Sequence, residues 1–295
     1  MDKRWPFFTV DLELTNICEQ NCSFCPREKI TRPSGFIDMQ LLADILRQLA
    51  AMGSRVTFCG MGNPMLHPQW HEISDICHNS GLKYGLTIQA PALDAQNIAR
   101  ISMLAPSFIE ISFPTIDSGH FSQIYPGQDI ELCLRALDDL VSMRGSARGI
   151  SVIAVRTADE PVSAEATSVF WQNRGLSLRQ QQCHSRGSNL TKNVVTRRRA
   201  IEACGLFATH SFITWQGRLL ACCHDLNGAS EIADLNQVLL TEAAQTKIEI
   251  LQHGMPWPLC SKCDEPAATR PLPDRAYPET AKAQSRYLKR LCASD

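Results

Sequence analysis

The chain has 295 residues, of which 44% are hydrophobic and 20% are charged, with a formal net charge of −1, a composition ordinary for a globular protein with a sizeable core. The excess of basic residues that marks nucleic-acid-binding proteins is missing, so we expect no nucleic-acid partner. No run approaches the roughly 18 apolar residues of a membrane span, and the N-terminus has no secretory signal pattern, which predicts a cytoplasmic protein without a membrane anchor.

Short β-branched or aromatic runs alternate with amphipathic segments over about the first 185 residues. Strands are predicted at 7–16, 55–60, 84–89, 108–113, 150–156 and 176–182, and helices at 38–52, 69–79, 94–103, 130–143 and 163–173. Because crossover helices must cover the sheet between parallel strands, the alternation predicts an α/β fold with a parallel sheet. Periodicity leaves open whether this sheet stays open or curls into a partial barrel. In either case ligands would lie at the carboxyl ends of the strands.

The pattern changes after about residue 190, and we predict a domain boundary near residue 195. The first domain would span residues 1–195 and a second, smaller α+β domain residues 196–295. In the second part, a hairpin is predicted from 212–215 and 218–221, turning at Gln216-Gly217. A predicted helix at 235–251 and a proline-rich segment with two cysteines follow.

Three of the 13 cysteines, Cys18, Cys22 and Cys25, lie directly after the first predicted strand with the spacing C-x3-C-x2-C. In a reducing cytosol, clustered cysteines indicate metal binding or catalysis more often than disulfides. Three thiolates on a short loop suit a [4Fe–4S] cluster with one iron left open. A structural zinc site is the alternative, although it needs a fourth ligand and none lies nearby in the sequence.

The segment 18–25, with Phe24 between the second and third cysteines, resembles the C-x3-C-x-aromatic-C signature of the radical S-adenosylmethionine (SAM) superfamily. The resemblance implies a partial (βα)6 barrel in which the open iron binds the amino and carboxylate groups of SAM. Cleavage of SAM would then release a 5′-deoxyadenosyl radical that abstracts hydrogen from a substrate. The resemblance also implies a reductant of the flavodoxin or ferredoxin type.

Further segments resemble the SAM-binding parts of this superfamily. Gly62-Asn63-Pro64 is similar to its Gly-Glu-Pro segment, which hydrogen-bonds the SAM ammonium, but has asparagine in place of glutamate. An asparagine keeps an acceptor oxygen and loses the charge that strengthens such a bond. Ser112, in the fourth strand, matches a serine that contacts SAM. Arg156, at the end of the fifth strand, is a candidate partner of the SAM carboxylate, with a surface ion pair as the alternative.

A second group of cysteines lies beyond residue 200, and its four members supply the thiolates of a fully ligated cluster: Cys204, Cys222, Cys260 and Cys263. Their order resembles the auxiliary-cluster extension of radical SAM enzymes called the SPASM or twitch domain. Only Cys292 follows the final pair, which favours the shorter twitch form with one auxiliary [4Fe–4S] cluster. A four-cysteine zinc site would have similar spacing and is the alternative.

Cys223 is the spare thiol of this second group. It could ligate the cluster in place of Cys222, pack without a role in the chemistry, or lie near the substrate as a candidate hydrogen-atom donor, and the family order favours Cys222 as the ligand. In twitch-type relatives the chemistry includes oxidation of an alcohol carbon, as in an aminocyclitol dehydrogenase, and epimerisation with a cysteine returning hydrogen. We therefore expect an oxidoreductase or epimerase acting on a small polar metabolite, an aminocyclitol- or sugar-like intermediate of natural-product biosynthesis.

Two alternatives to this function stay open at the level of the sequence. The first is a maturase or epimerase of a ribosomally made peptide. We expect no leader-binding domain, because the first predicted strand begins within ten residues of the N-terminus. The second is a non-catalytic, metal-stabilised binding protein, for which the asparagine at position 63 is the only support.

Overall fold

The computed structural model describes residues 6–146, 148–192, 194–195 and 204–265. The strands of the first part are β1 (Thr9–Leu12), β2 (Arg55–Phe58), β3 (Lys83–Gln89), β4 (Phe108–Ser112), β5 (Ile150–Arg156) and β6 (Ser177–Gln182). The helices of this part are α1 (Met39–Met52), α2 (Trp70–Ser80), α3 (Ala95–Leu104), α4 (Ser118–Ile124), α5 (Ile130–Met143) and α6 (Ala164–Asn173). After residue 204 come α7 (Gly205–Thr209), β7 (His210–Ile213), β8 (Arg218–Leu220), β9 (Glu231–Asp234), α8 (Leu240–His253) and α9 (Pro258–Ser261).

These strands form one open, nine-stranded sheet with the order β6-β5-β4-β3-β2-β1-β7-β8-β9. Strands β1 to β6 are parallel to their neighbours, and β7 also runs parallel to β1, with Val10 opposite Ser211. Strands β8 and β9 add two antiparallel pairings at the edge. The predicted α/β fold with a mostly parallel, unclosed sheet is confirmed. The sheet continues beyond residue 195, so the second part is hydrogen-bonded to the first.

The two faces of the parallel sheet differ in chemistry because successive side chains of a strand point to opposite faces. Val10, Leu12 and Ile111 are fully buried in the hydrophobic core that the helices cover. The residues between them, such as Asp11 and Glu110, are polar and lie on the opposite, inner face. Around Asp11 and Glu110 the inner face therefore carries charged groups, whereas Ile153 of β5 adds an apolar side chain to the same face.

The helices begin where short polar side chains cap them. Asp38 accepts a hydrogen bond from the Leu41 amide at 3.0 Å and starts α1, which ends at Met52 and is capped by Gly53 with φ of +69°. Asp94 caps α3 in the same way. Such caps satisfy amide groups that have no partner within the helix.

Several boundaries differ from the sequence-based expectation. Strand β1 ends at Leu12 rather than near residue 16. Beyond it, Leu14 O accepts from Ile37 N, and the Asn16 side chain bonds the backbone of Pro33 and Gly35. The helix expected from residue 235 begins at Leu240, after β9 and a turn. Helix α4 and strand β9 were not predicted. Cys292 lies outside the described residues.

No helix in the described ranges is long and apolar enough to cross a membrane. Two of the cysteines that the sequence leaves outside the two groups, Cys77 and Cys133, are buried in the hydrophobic core. They behave there as small apolar side chains.

Candidate functional site

The loop after β1 carries the first cysteine group at the carboxyl edge of the sheet. Two backbone hydrogen bonds shape it, from Cys25 N to Cys22 O at 3.0 Å and from Ser23 N to Ile124 O at 3.1 Å. Cys18, Cys22 and Cys25 are all partly exposed. Burial first, and then the neighbouring Cys25 and Cys18, raise the pKa of the Cys22 thiol to about 12. Three thiols on one short loop are a donor set that fits a [4Fe–4S] cluster with one open iron.

Phe24 and Ser112 both contact Tyr125, a residue that the sequence did not indicate. The Phe24 ring lies edge-on to Tyr125, with centroids 6.5 Å apart. The Tyr125 hydroxyl donates to Ser112 O at 3.2 Å and lies 3.3 Å from Ser112 Oγ. Burial holds the pKa of Tyr125 well above its usual value, so the phenol stays protonated. Tyr125 directly follows the short helix α4, which is why hydrophobic periodicity gave no signal for it.

The loop after β2 packs against the cysteine loop backbone to backbone. Asn63 N donates to Ile17 O at 2.8 Å. A Cβ atom at Gly62 would lie 2.2 Å from Thr15 O, closer than any real contact, so only glycine permits this approach. Pro64 begins the 3-10 turn that follows.

The Asn63 side chain is itself fully buried between these loops. Its Oδ1 accepts a hydrogen bond from Met65 N at 3.0 Å, and its Nδ2 donates to Glu19 Oε1 at 2.8 Å. Arg156 lies further along the same edge, at the end of β5, where its guanidinium donates to Val162 O at 2.9 Å. The described structure thus engages both residues with protein partners.

The second cysteine group surrounds a single cavity. Cys204 precedes α7, Cys222 follows β8, and Cys260 and Cys263 come from α9 and the loop after it. The cavity is completed by Leu206, Phe207, Ala221, His224, Met255, Leu259 and Glu265. Cys222 lines this cavity and Cys223 does not, which favours Cys222 as the ligand.

Electrostatics also link these four thiols. Burial, and after it the charge of Cys204, raises the pKa of Cys260 to about 11. Burial is also the main cause of the raised pKa of Cys263, and the charge of Cys204 adds to it. The pKa of Cys222 is raised by burial first, then by the charge of Cys223, and then by that of Cys204. Four cysteine thiols around one cavity are a donor set that fits a fully ligated [4Fe–4S] cluster. A tetrahedral zinc ion would need the sulfurs closer together, and no three of them are among the described ligand atoms that lie within 4.8 Å of one another.

A hydrogen-bonded network that the sequence did not indicate holds the cavity wall. The Nε2 atoms of His184 and His224 each lie 2.9 Å from Glu265 Oε2. Asp264 accepts hydrogen bonds from Ser185 N at 2.9 Å and from Ser185 Oγ at 2.7 Å. The network joins the loop after β6, the hairpin end and the final cysteine pair. No periodic pattern reveals such contacts, because their partners come from distant segments.

The inner face of the sheet carries paired charges. His210 Nε2 lies 3.1 Å from the Asp11 carboxylate, and Arg179 lies 3.3 Å from Glu110, which also accepts from the Thr87 hydroxyl at 2.9 Å. Two buried atoms on these strands, Gln89 Oε1 and Arg179 Nε, have no hydrogen-bond partner among the described residues. Unpartnered buried polar atoms of this kind are available to a polar ligand.

Cys223 lies between this inner face and the second cysteine group. Burial raises the pKa of Cys223 to about 12, the charge of Arg186 opposes that rise and the charge of Asp11 adds to it. Its Sγ also lies 3.8 Å from His224 Nδ1. The thiol is therefore protonated at neutral pH, the form from which a hydrogen atom can be given.

Comparison with known proteins decides the family. The model of the Radical SAM superfamily matches residues 12–160, about half of the chain. The chain belongs to the radical SAM superfamily. Membership implies an enzyme that uses a [4Fe–4S] cluster and SAM, and it argues against a non-catalytic binding protein.

Solved structures with the radical SAM fold are similar over most of their length. BtrN in complex with AdoMet and 2-DOIA is 14% identical, with 89% of this chain and 94% of that chain covered and a TM-score of 0.58. Native anSMEcpe with bound AdoMet is 11% identical, with 97% of this chain and 98% of that chain covered and a TM-score of 0.63. SuiB of Streptococcus suis bound to the precursor peptide SuiA is 13% identical, with 88% of this chain and 71% of that chain covered and a TM-score of 0.61. At these identities the similarity shows the fold alone. Comparison with curated protein sequences gives no match.

Proposed function

We propose that this radical SAM enzyme oxidises or epimerises a carbon centre of a small polar metabolite with the help of a second, auxiliary [4Fe–4S] cluster. The observation that carries the proposal is the convergence of Cys204, Cys222, Cys260 and Cys263 on one cavity. Four thiolates leave no iron position open, which suits electron transfer rather than substrate binding. The second part of the chain would thus be a twitch-type auxiliary-cluster domain.

The loop after β1 would hold the SAM-binding cluster through Cys18, Cys22 and Cys25. When bound there, the cluster and SAM supply the radical that takes a hydrogen atom from the substrate. Phe24 would pack over the site, Gly62 would allow the two loops their close approach, and the neutral Tyr125 would keep Ser112 oriented. We further propose that a flavodoxin- or ferredoxin-type protein delivers the reducing electron.

The inner face supports a small ligand rich in hydrogen-bonding groups. Its Asp11–His210 and Glu110–Arg179 pairs offer both signs of charge. An apolar ligand would leave buried polar atoms such as Gln89 Oε1 unpaired, at a cost of about 1–3 kcal/mol each. BtrN, which shares the fold, holds the small molecule 2-DOIA. An aminocyclitol- or sugar-like compound fits this chemistry.

A peptide substrate is the second candidate. Two of the similar folds hold peptides, SuiB with the precursor peptide SuiA and anSMEcpe with the Kp18Cys peptide. The substrate test therefore includes short peptides beside aminocyclitols and amino sugars.

The test incubates the reconstituted enzyme with SAM, a reductant and each compound in deuterated water. Oxidation gives a product lighter by two hydrogens, and epimerisation gives an inverted product with one solvent deuterium. If Cys223 returns the hydrogen atom, Cys223→Ala should still consume SAM but give no inverted product. SAM cleavage coupled only to the peptides would replace the metabolite proposal with the peptide one.

A further inference from the structure

Glu19 is the acidic residue closest in sequence to the thiols of the first cysteine group. It lies between Cys18 and Cys22, and its side chain is exposed, whereas the neighbouring Gln20 is buried. In this superfamily the amino group of SAM is bound at the open iron, so it must come within a few ångströms of this loop. A carboxylate there offers lone pairs to the N–H groups of that amino group.

The carboxylate of Glu19 is held in place by a buried side chain of the neighbouring loop. Asn63 Nδ2 donates a hydrogen bond to Glu19 Oε1 at 2.8 Å. The Asn63 side chain is 0% exposed, and its Oδ1 accepts from Met65 N at 3.0 Å. Buried and engaged at both ends, the Asn63 amide supports Glu19 rather than facing a ligand at the surface.

The support is rigid because the backbones of the two loops are joined. Asn63 N donates to Ile17 O at 2.8 Å, and Gly62 allows the close approach to Thr15 O. Glu19 directly follows Cys18 in the sequence, so its carboxylate belongs to the loop that carries the first cysteine group. The Glu19 side chain is exposed at the loop surface while one of its oxygens, Oε1, accepts from Asn63.

We propose that Glu19 accepts a hydrogen bond from the amino group of SAM and that Asn63 is the positioning residue that holds Glu19 there. The carboxylate that is missing from position 63 would thus be supplied from the cysteine loop, with the asparagine beneath it. The inference rests on the family and on these contacts, not on the proposed oxidation or epimerisation, so either can fail without the other.

The test measures SAM binding by titration calorimetry on the reconstituted full-length protein. Two ligands are compared, SAM and its analogue with a hydroxyl group in place of the amino group. Glu19→Gln should weaken SAM binding about tenfold, the loss expected for one exposed charge-assisted hydrogen bond. Binding of the hydroxyl analogue should change much less. Glu28→Gln, an equal loss of charge on the exposed turn after Cys25, is the matched control and should bind SAM as the wild type does.

A double variant tests the role of Asn63. Glu19→Gln with Asn63→Asp moves the carboxylate from one partner to the other and keeps a hydrogen bond between them, so it should recover part of the SAM affinity. Iron content is counted in every variant. If Glu19→Gln does not hold its cluster, Glu19→Asp, which keeps the charge on a shorter side chain, takes its place and should show a smaller loss with the same preference. Unchanged SAM affinity, or equal losses for both ligands, would overturn the proposal.

Discussion

The two cysteine groups differ in how the chain brings them together. Cys18, Cys22 and Cys25 share one loop, and their spacing alone places them on the same short stretch of backbone. The second group reaches its cavity from segments between Cys204 and Cys263, placed by α7, the β7–β8 hairpin and α9. The first group is a local feature with a position left for a ligand. The second exists only when the strands and loops around it are folded, so its integrity depends on long-range contacts.

One buried ion pair connects the two regions. Arg32 donates to both carboxylate oxygens of Glu13, at 2.6 and 2.7 Å, and the two side chains are 7% and 0% exposed. Arg32 Nε also donates to Leu226 O at 2.8 Å, next to the second cysteine group, and Trp215 N donates to Glu13 at 3.4 Å. The pair therefore ties β1 and the first cysteine loop to the hairpin.

The largest expected effect separates the two groups outright. Replacing Cys18, Cys22 and Cys25 together by Ala should lower the iron content of reconstituted protein from about eight to about four per chain and abolish SAM cleavage. The remaining iron would belong to the second group. Iron counting and detection of 5′-deoxyadenosine measure the two results. An unchanged iron content in the triple variant would show that this loop holds no cluster.

The next effect concerns which thiol of the second group is a ligand. Cys222→Ala should remove or destabilise the second cluster, so that iron falls toward about four per chain. Cys223→Ala is the matched control, because Cys223 adjoins Cys222 but does not line the cavity, and it should keep its iron. Zinc in place of iron in the wild-type protein, measured by elemental analysis after anaerobic purification, would contradict the auxiliary cluster.

A smaller effect tests the link between the regions. Arg32→Met leaves Glu13 buried without its partner and should lower the free energy of unfolding by about 3–5 kcal/mol. The double variant Glu13→Gln with Arg32→Met should recover much of that loss. Arg47→Met removes an exposed pair with Asp44, 73% and 37% exposed, and should cost no more than about 1 kcal/mol. Urea unfolding followed by circular dichroism measures the free energy of unfolding of all three variants. Equal losses of that free energy for Arg32→Met and Arg47→Met would show that the buried pair does not stabilise the contact between the two regions.

The smallest effect is confined to the second region. Asp264→Asn keeps the shape of the side chain but weakens its bonds to Ser185, at a cost of about 1–2 kcal/mol. The final cysteine pair should then hold its cluster less firmly, and iron release to a chelator should speed up about tenfold for the second cluster alone. Asp138→Asn, at an exposed position on α5, is the control. Faster release from both clusters would mean that the contact acts on the whole fold.

Hydrophobic periodicity predicted most of the fold of the first part because each of its longer helices and strands carries its own pattern. Helix α5 and strand β5 lie at their predicted positions. Helix α4, with seven residues, is too short for a helical period to be recognised, and β9 (Glu231–Asp234) has a single β-branched residue, Ile232. The cysteine spacing likewise indicated both groups, since the order and spacing of the cysteines are visible in the sequence itself.

What the sequence determined, then, is what is local: the alternating α/β pattern, the capped helices, the three-cysteine loop and the order of the later cysteines. The tertiary structure alone decided that β7 pairs with β1 and that Asn63 supports Glu19 from beneath the cysteine loop. It alone also brought His184 and His224 to one oxygen of Glu265. These contacts join residues from about 40 to 200 positions apart, and they depend on loop closure and packing that no neighbouring residue encodes.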